Sequence, residues 1–254
     1  MSPRRAAAFV SLMVLLGAAC GHPAPPRKLS IAAAADLQFA LAEAARQFHQ
    51  QHPQTDVQVN YGSSGNFATQ IRNGAPFDMF LSADVQYPRD LARDAIARAD
   101  SIFIYAAGRL AVWVPASSPL DPATALRDPA VKRIAIANPQ HAPYGRAAEA
   151  ALRNMGPYDS VQKKLVLGEN ISQTLQFVQS GAADVGMVAL SLAIAPTVRG
   201  QGRYWEVPQE SYPKMEQGGV ILKESAAARE FRDWLLAPAG RSLLQQYGFF
   251  LPGQ

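Results

Sequence analysis

From residue 28 to residue 247 the chain alternates short apolar runs with longer segments whose apolar residues recur every three or four positions. The first kind reads as strand and the second as helix. Residues 28–34 predict a strand, and Leu37, Ala40, Leu41, Ala44, Ala45 and Phe48 fall at helical spacing behind it. Residues 57–61 predict a second strand. Gly62-Ser63-Ser64-Gly65 and a helix to about Arg72 follow, and Asn73-Gly74-Ala75-Pro76 breaks the pattern. Residues 77–81, 102–105, 110–114, 133–137 and 185–188 predict further strands, and 215–222 is extended. Helices are expected over 145–155, 172–179, 226–236 and 240–247. Strand and helix in this order predict an α/β protein with parallel sheets. We expect two lobes joined by two crossings, near Gly108 and near Gly218-Gly219. Residues 28–107 with 219–254 then form lobe I, and 108–218 form lobe II. Paired crossings make a hinge, and the cleft between lobes is a natural ligand site.

The N-terminus carries a different pattern. Arg4 and Arg5 precede an apolar run over 6–16, and Gly17, Ala18 and Ala19 lead to Cys20, the one cysteine of the chain. This reads as an export signal, too short for a transmembrane helix. The lone cysteine suggests lipid attachment after cleavage, although Leu16 and Gly17 match a lipoprotein box imperfectly; simple cleavage near Ala19 is the alternative. Residues 1–27 thus comprise signal and a proline-containing tether, and the mature protein works outside the cytoplasm. No cysteine is left for a disulfide in the body. The chain as a whole is 48% hydrophobic, and a body of this length can bury a large core without one. The net charge of +4 falls to about +2 without Arg4 and Arg5, too mild to argue for nucleic acid.

Four predicted strand ends are rich in small residues and donors: Ala34-Ala35-Asp36-Leu37, Gly62-Ser63-Ser64-Gly65, Ala142-Pro143-Tyr144-Gly145 and Glu169-Asn170-Ile171-Ser172. Two lie in each expected lobe, and each precedes a helix. In open α/β sheets ligands sit at the carboxyl ends of strands. Helix N-termini present unpaired N–H groups and a positive dipole end, a seat for an anion. Taken singly, each has a plainer reading. Asp36, Ser64 and Ser172 suit helix N-caps, Tyr144 a packed ring, and His141 a surface residue. Enzyme chemistry finds little support: there is no Gly-x-Ser-x-Gly elbow, no metal-spaced His/Cys cluster, and no partner for the acids Asp78 and Asp84.

These segments resemble the periplasmic molybdate-binding proteins of ABC importers. The resemblance runs from about Lys28 to Pro252. It rests on 32–37, on Gly62-Ser63-Ser64-Gly65 with Gln70-Ile71, on Asn73-Gly74-Ala75-Pro76-Phe77-Asp78, and on Phe80-Leu81-Ser82-Ala83-Asp84. The loop 138–145, Gly181-Ala182-Ala183-Asp184-Val185-Gly186 and Tyr247-Gly248-Phe249 extend it. It implies a class II two-lobed periplasmic-binding-protein fold, no catalysis, no cofactor, and delivery of molybdate or tungstate to a membrane permease by a monomer. Position by position, it implies oxyanion contacts at Ala35 and Asp36, at Ser63 and Ser64, at Tyr144 through its loop, and at the Ile171 backbone. One branch of the family adds a tyrosine where this chain has Ala189. A receptor for sulfate or phosphate, and an extracytoplasmic enzyme or sensor on the same fold, are the alternatives.

Asp36 departs from the family pattern. A buried carboxylate beside a dianion is unfavourable unless one of the two carries a proton. Phosphate can carry that proton near neutral pH; molybdate and sulfate cannot. An inward Asp36 side chain would therefore argue for a protonated oxyanion, and an outward one for molybdate. Its position ahead of a helix predicts an outward, capping side chain that leaves a main-chain N–H at the site.

Overall fold

The structure, a computed structural model, describes residues 27–253. The expected export signal and Cys20 lie outside the described residues. The chain begins with β1 (Arg27–Ala34), a 3-10 turn (Ala35–Leu37), α1 (Gln38–Gln51), β2 (Thr55–Gly62), α2 (Ser64–Arg72), β3 (Met79–Ser82), α3 (Gln86–Arg93) and β4 (Ile102–Gly108). It continues through β5 (Leu110–Pro115), β6 (Ile134–Ala137), α4 (Pro143–Asn154), α5 (Tyr158–Val161), β7 (Leu165–Gly168), α6 (Ile171–Gln179) and β8 (Val185–Ala189). Next come α7 (Leu190–Ala193), β9 (Gly202–Glu206), β10 (Met215–Ile221), α8 (Ala226–Leu236) and α9 (Pro238–Gln246).

Two five-stranded sheets form, ordered β2-β1-β3-β10-β4 and β7-β6-β8-β5-β9. Both orders follow one plan. Three strands separated by helices come first. Beside them lies a strand that has just arrived from the other sheet, and at the edge lies the strand about to leave. β4 leaves the first sheet and continues through Arg109 into β5 of the second; β9 leaves the second and returns through residues 207–214 into β10. The sheets are therefore mixed, where the strand–helix alternation predicts parallel ones. β1 is parallel to β2 and β3, and β6 to β7 and β8. β10 runs antiparallel to β3 and β4, and β5 to β8 and β9. Parallel neighbours need a crossover helix between them, which the βαβ units supply. The two inserted strands arrive by short crossings instead.

The second crossing does not fall at Gly218-Gly219. Both glycines lie inside β10, opposite Ser82 and Leu81 of β3. A Cβ on Gly219 would strike the Phe103 ring and come within 2.7 Å of Leu81 Cδ2. These glycines answer to close packing rather than to a break in the chain.

Each sheet buries its apolar residues beneath helices. In one lobe Leu29, Ile31, Leu41, Phe48, Phe231 and Trp234 pack together, with Phe48 edge-on to Phe231 at 5.1 Å between ring centres. In the other, Trp113, Ile134, Ile136, Leu152, Leu175 and Met187 form the core. The C-terminus returns to the first lobe, where Ala107 and Phe250 exchange backbone hydrogen bonds of 2.7 and 3.0 Å.

α4 sits close on the end of β6 because its third residue is Gly145. A Cβ there would fall on the Ala137 carbonyl, with the Asn138 carbonyl carbon at 2.8 Å. Backbone on both sides leaves no side chain free to move aside. Gly145→Ala is expected to lower stability by about 1–3 kcal/mol, the cost of overpacking a rigid contact. Urea denaturation measures it; a change under about 0.5 kcal/mol would show that α4 can lift without penalty.

Candidate functional site

The ends of the first two strands of each sheet meet between the lobes. Ala34 ends β1, and Ala35 and Asp36 follow it; Gly62 ends β2, and Ser63 and Ser64 follow it; Ala83 follows β3. From the other lobe come Ala142, Pro143 and Tyr144 after β6, and Ile171 after β7. Together they line one cavity of about 10 Å³, the room of about one water molecule, so a larger occupant requires its lining to move apart. All six residues singled out from the sequence, Ala35, Asp36, Ser63, Ser64, Tyr144 and Ile171, are in this lining. A larger groove of about 320 Å³ lies beside it, lined by Arg89, Arg146 and Lys214 with Asp84 and Glu216. There Arg146 pairs with Asp84 at 2.7 Å and Arg89 with Glu216 at 3.7 Å, so two of its three cations are already neutralised.

Three helices open onto the small cavity, and local capping consumes their first-turn donors selectively. In α2 the Gly65 N–H donates to the His141 carbonyl at 2.9 Å, and the Asn66 N–H to Ser63 Oγ at 3.4 Å. That leaves the Ser64 N–H. In α4 Pro143 has no N–H, and Gly145 and Arg146 donate to the Ala142 carbonyl. That leaves Tyr144. In α6 the side chain of Asn170 accepts from Ser172 and Gln173, both at 3.0 Å, which leaves Ile171. Each helix thus keeps one uncapped first-turn N–H at the cavity, on a residue that lines it. Ser64 adds a hydroxyl: its Oγ accepts from the Ala83 N–H at 3.0 Å, so its own hydrogen remains to be donated.

Two of the expected caps are displaced by one or two residues. Ser63, not Ser64, caps α2, and Asn170, not Ser172, caps α6. The shift frees the residue behind each cap. Ser172 reaches across the cleft instead, donating to the Ala35 carbonyl at 3.1 Å and contacting Gln38 Oε1 at 2.7 Å.

Asp36 does not cap its helix. It lies within the 3-10 turn, only 1% exposed, and neither helical segment beside it has a side-chain cap. The carboxylate turns inward. Its Oδ2 accepts from the Tyr144 hydroxyl at 3.1 Å and from Gln217 Nε2 at 2.6 Å. Its Oδ1 is buried without a hydrogen-bond partner. The Tyr144 ring is buried as expected, but its hydroxyl is spent on Asp36, so only the backbone of that loop remains for a ligand. Burial pushes the Asp36 carboxyl up to about 6, against the lowering effect of Gln217, Tyr144 and the amides of Asp36 and Leu37. The Tyr144 phenol is driven well above its usual range by burial and by the Asp36 charge. The network explains Gly108 at the first crossing: a Cβ there would strike the Tyr144 hydroxyl and lie 2.7 Å from Gln217 Nε2.

His141, read from the sequence as a surface residue, spans the lobes. Its Nδ1 is 2.9 Å from Ser63 Oγ, and its Nε2 is 3.6 Å from Glu169, which also accepts from Asn66. Ser191 of α7 donates to the Asp36 carbonyl at 2.7 Å. Gln217 and Ser191 carry no motif in the sequence; only their placement opposite Asp36 brings them out. Ala189, where one branch of the resembled family has a tyrosine, is buried at the end of β8 and does not line the cavity.

Among the described residues no group of three or more His, Cys, Asp or Glu side chains is placed to hold a metal ion. No described helix is long and apolar enough to cross a membrane. The profile of bacterial extracellular solute-binding proteins matches residues 29–250. The chain belongs to this family. The solute-binding protein is 35% identical to the molybdate-binding protein ModA of Rhodobacter capsulatus, across 96% of this chain and 95% of the relative. It is 36% identical to the molybdate-binding protein ModA of Azotobacter vinelandii, across 94% and 97%. The solved periplasmic molybdate-binding protein of Azotobacter vinelandii superposes with a TM-score of 0.82 at 33% identity, covering 88% of this chain and 99% of that one.

For this solute-binding protein, Tyr144→Phe keeps the ring but removes one of two donors to Asp36. The cost should be about 1.5–3 kcal/mol when Asp36 is charged and about 0.5–1.5 kcal/mol when it is neutral. Because the folded carboxyl titrates near 6, the loss should be larger at pH 8 than at pH 5. Denaturation of wild type and variant at both pH values reads this difference; equal losses would mean that the hydroxyl does not support a titrating Asp36.

Proposed function

We propose that this protein captures molybdate, and tungstate with it, between its lobes and delivers it to an ABC permease. The observation that carries this reading is the set of neutral donors around one small cavity: the N–H groups of Ser64, Tyr144 and Ile171 and the Ser64 hydroxyl. A fully ionised tetrahedral anion needs only donors, and donors fixed by capped helices require little further ordering. The three relatives named above, each a molybdate-binding protein, support the same ligand. We take Ala35, Asp36, Ser63, Ser64, Tyr144 and Ile171 as the residues that surround the anion. In this reading the protein is a binder and not an enzyme, the anion is cargo rather than cofactor, and one chain suffices. We also assign it to the periplasm, tethered through a lipid on Cys20.

One observation favours a second reading. The inward Asp36 is what a ligand carrying its own proton would prefer, and phosphate is such a ligand. Titration calorimetry with molybdate, tungstate, sulfate and phosphate separates the two. Molybdate and tungstate should bind far more tightly than phosphate; tighter phosphate binding would overturn the molybdate reading.

Ser64→Ala removes a hydroxyl and leaves the Ala83 N–H unpaired. Molybdate binding should weaken about 10- to 150-fold, which is about 1.5–3 kcal/mol for a hydrogen bond to a charged partner. Unchanged affinity would show that Ser64 only holds Ala83. The lobes should also close on the anion, because contacts come from both sides of two crossings. Small-angle scattering should show compaction on adding saturating molybdate, and an unchanged radius would count against closure.

A further inference from the structure

The buried carboxyl of Asp36 is the one polar side-chain group in the cavity lining that opposes a dianion. Oδ2 is committed as an acceptor, with the Tyr144 hydroxyl at 3.1 Å and Gln217 Nε2 at 2.6 Å. Oδ1 is equally buried and meets no donor at hydrogen-bond geometry, the backbone amides of Asp36 and Leu37 acting on the carboxylate only as nearby dipoles, although Asp36 lines the cavity. An acceptor left without a donor in a buried site is costly, and a negative one beside a dianion more so. A proton on Oδ1 removes both costs. It neutralises the carboxyl, and it converts the unpartnered acceptor into a donor matching the other donors around the cavity.

We propose that Asp36 meets the bound oxyanion as a neutral carboxylic acid, donating from Oδ1 to an oxyanion oxygen, so that capture of each anion takes up one proton. This rests on the reading of the cavity as the oxyanion site. The balance is simple: an O–H bond forms on Oδ1 with a proton from the buffer, the anion keeps its charge, and nothing is oxidised or reduced.

The surroundings provide no other charge to offset the anion. Tyr144 from α4, Tyr105 from β4 and Gln217 from β10 face Asp36, and all three are neutral at physiological pH. Of the other elements packed on its turn, α6 and α7 contain no titratable residue. On α1, Glu43 pairs with Arg46 on the solvent side and His49 contacts the Thr55 carbonyl, and β2 contributes the phenol of Tyr61 and Asp56, which accepts from Gln58. Glu216, next to Gln217, pairs with Arg89. At the rim, His141 is bound to Ser63 and lies beside Glu169. Among the described residues, no arginine, lysine or histidine is a cause of the Asp36 shift. Burial, offset in part by the hydrogen bonds to the carboxylate, lifts that carboxyl to about 6 before any anion arrives, and a dianion raises it further. Between those two values the complex holds one more proton than the free protein. Affinity therefore falls as pH rises above about 6, approaching tenfold per pH unit.

The test is calorimetry of the whole protein with sodium molybdate at pH 6, 7 and 8, in buffers of different ionisation enthalpy. Near pH 7.5 the buffer dependence should report close to one proton taken up per molybdate, and Kd should rise about tenfold from pH 7 to 8. Asp36→Asn presents an N–H where the acid presents O–H and still accepts from Tyr144 and Gln217. It should show no proton uptake, a Kd independent of pH, and binding about tenfold or more tighter than wild type at pH 8. Molybdate binding by wild type without proton uptake would overturn the inference and leave the molybdate reading standing. Uptake that persists in a folded Asp36→Asn would overturn it as well. No molybdate binding by wild type at any of these pH values would instead overturn the reading on which the inference rests. If Asp36→Asn does not fold, the wild-type proton count decides alone.

Discussion

The site depends on how one lobe holds a three-residue turn of the other. The 3-10 turn Ala35–Leu37 belongs to the first sheet, yet three hydroxyls of the second lobe hold it. Ser172 binds the Ala35 carbonyl, Ser191 the Asp36 carbonyl, and Tyr144 the Asp36 carboxylate. Each is a bond between lobes, and two are to backbone, so they would hold the turn whatever side chain stood there. Around this clasp the rim closes through His141 on Ser63, Asn66 on Glu169 and Arg146 on Asp84. The exposed ion pairs at the rim add little by themselves. The buried bonds matter more, because opening the lobes leaves their acceptors to water or to nothing.

The topology makes such a clasp possible. Each sheet receives a strand from the other, β10 into the first and β5 into the second, so the two crossings are anchored deep in both lobes. Gln217 sits on β10 directly after its crossing, and Gly108 ends β4 directly before the other. The hinge and the Asp36 network thus share residues.

Much of this was legible in the sequence, and the gaps have physical causes. Period and punctuation located β1, β2, β5, β6 and β8 and the helices α1, α2, α4, α6 and α8 within a few residues, because their apolar residues recur at the period of the element and turn residues bound them. β7 and β9 were missed. They are the edges of their sheet, with Leu167 and Tyr204 exposed, so alternation is blurred. α3 was missed because Pro88 stands inside it and only Pro88 and Leu91 are buried. The strand ends that line the cavity were legible from small residues ahead of helices. The direction of Asp36 was not. Capping preference is a local rule, and the donors that turn this carboxylate inward are 108 and 181 residues away. His141 was misread for the same reason: a histidine in a loop looks solvated until another lobe closes on it.

The central claim is that one small cavity, lined by neutral donors and a protonated Asp36, holds molybdate between the lobes. A crystal structure of the molybdate complex with anomalous data at the molybdenum edge tests it most directly. The account predicts a single molybdenum peak between the lobes, with oxyanion oxygens within hydrogen-bond distance of the N–H groups of Ser64, Tyr144 and Ile171 and of Asp36 Oδ1. A peak elsewhere, or an Asp36 side chain swung out of the cavity in the complex, would contradict it.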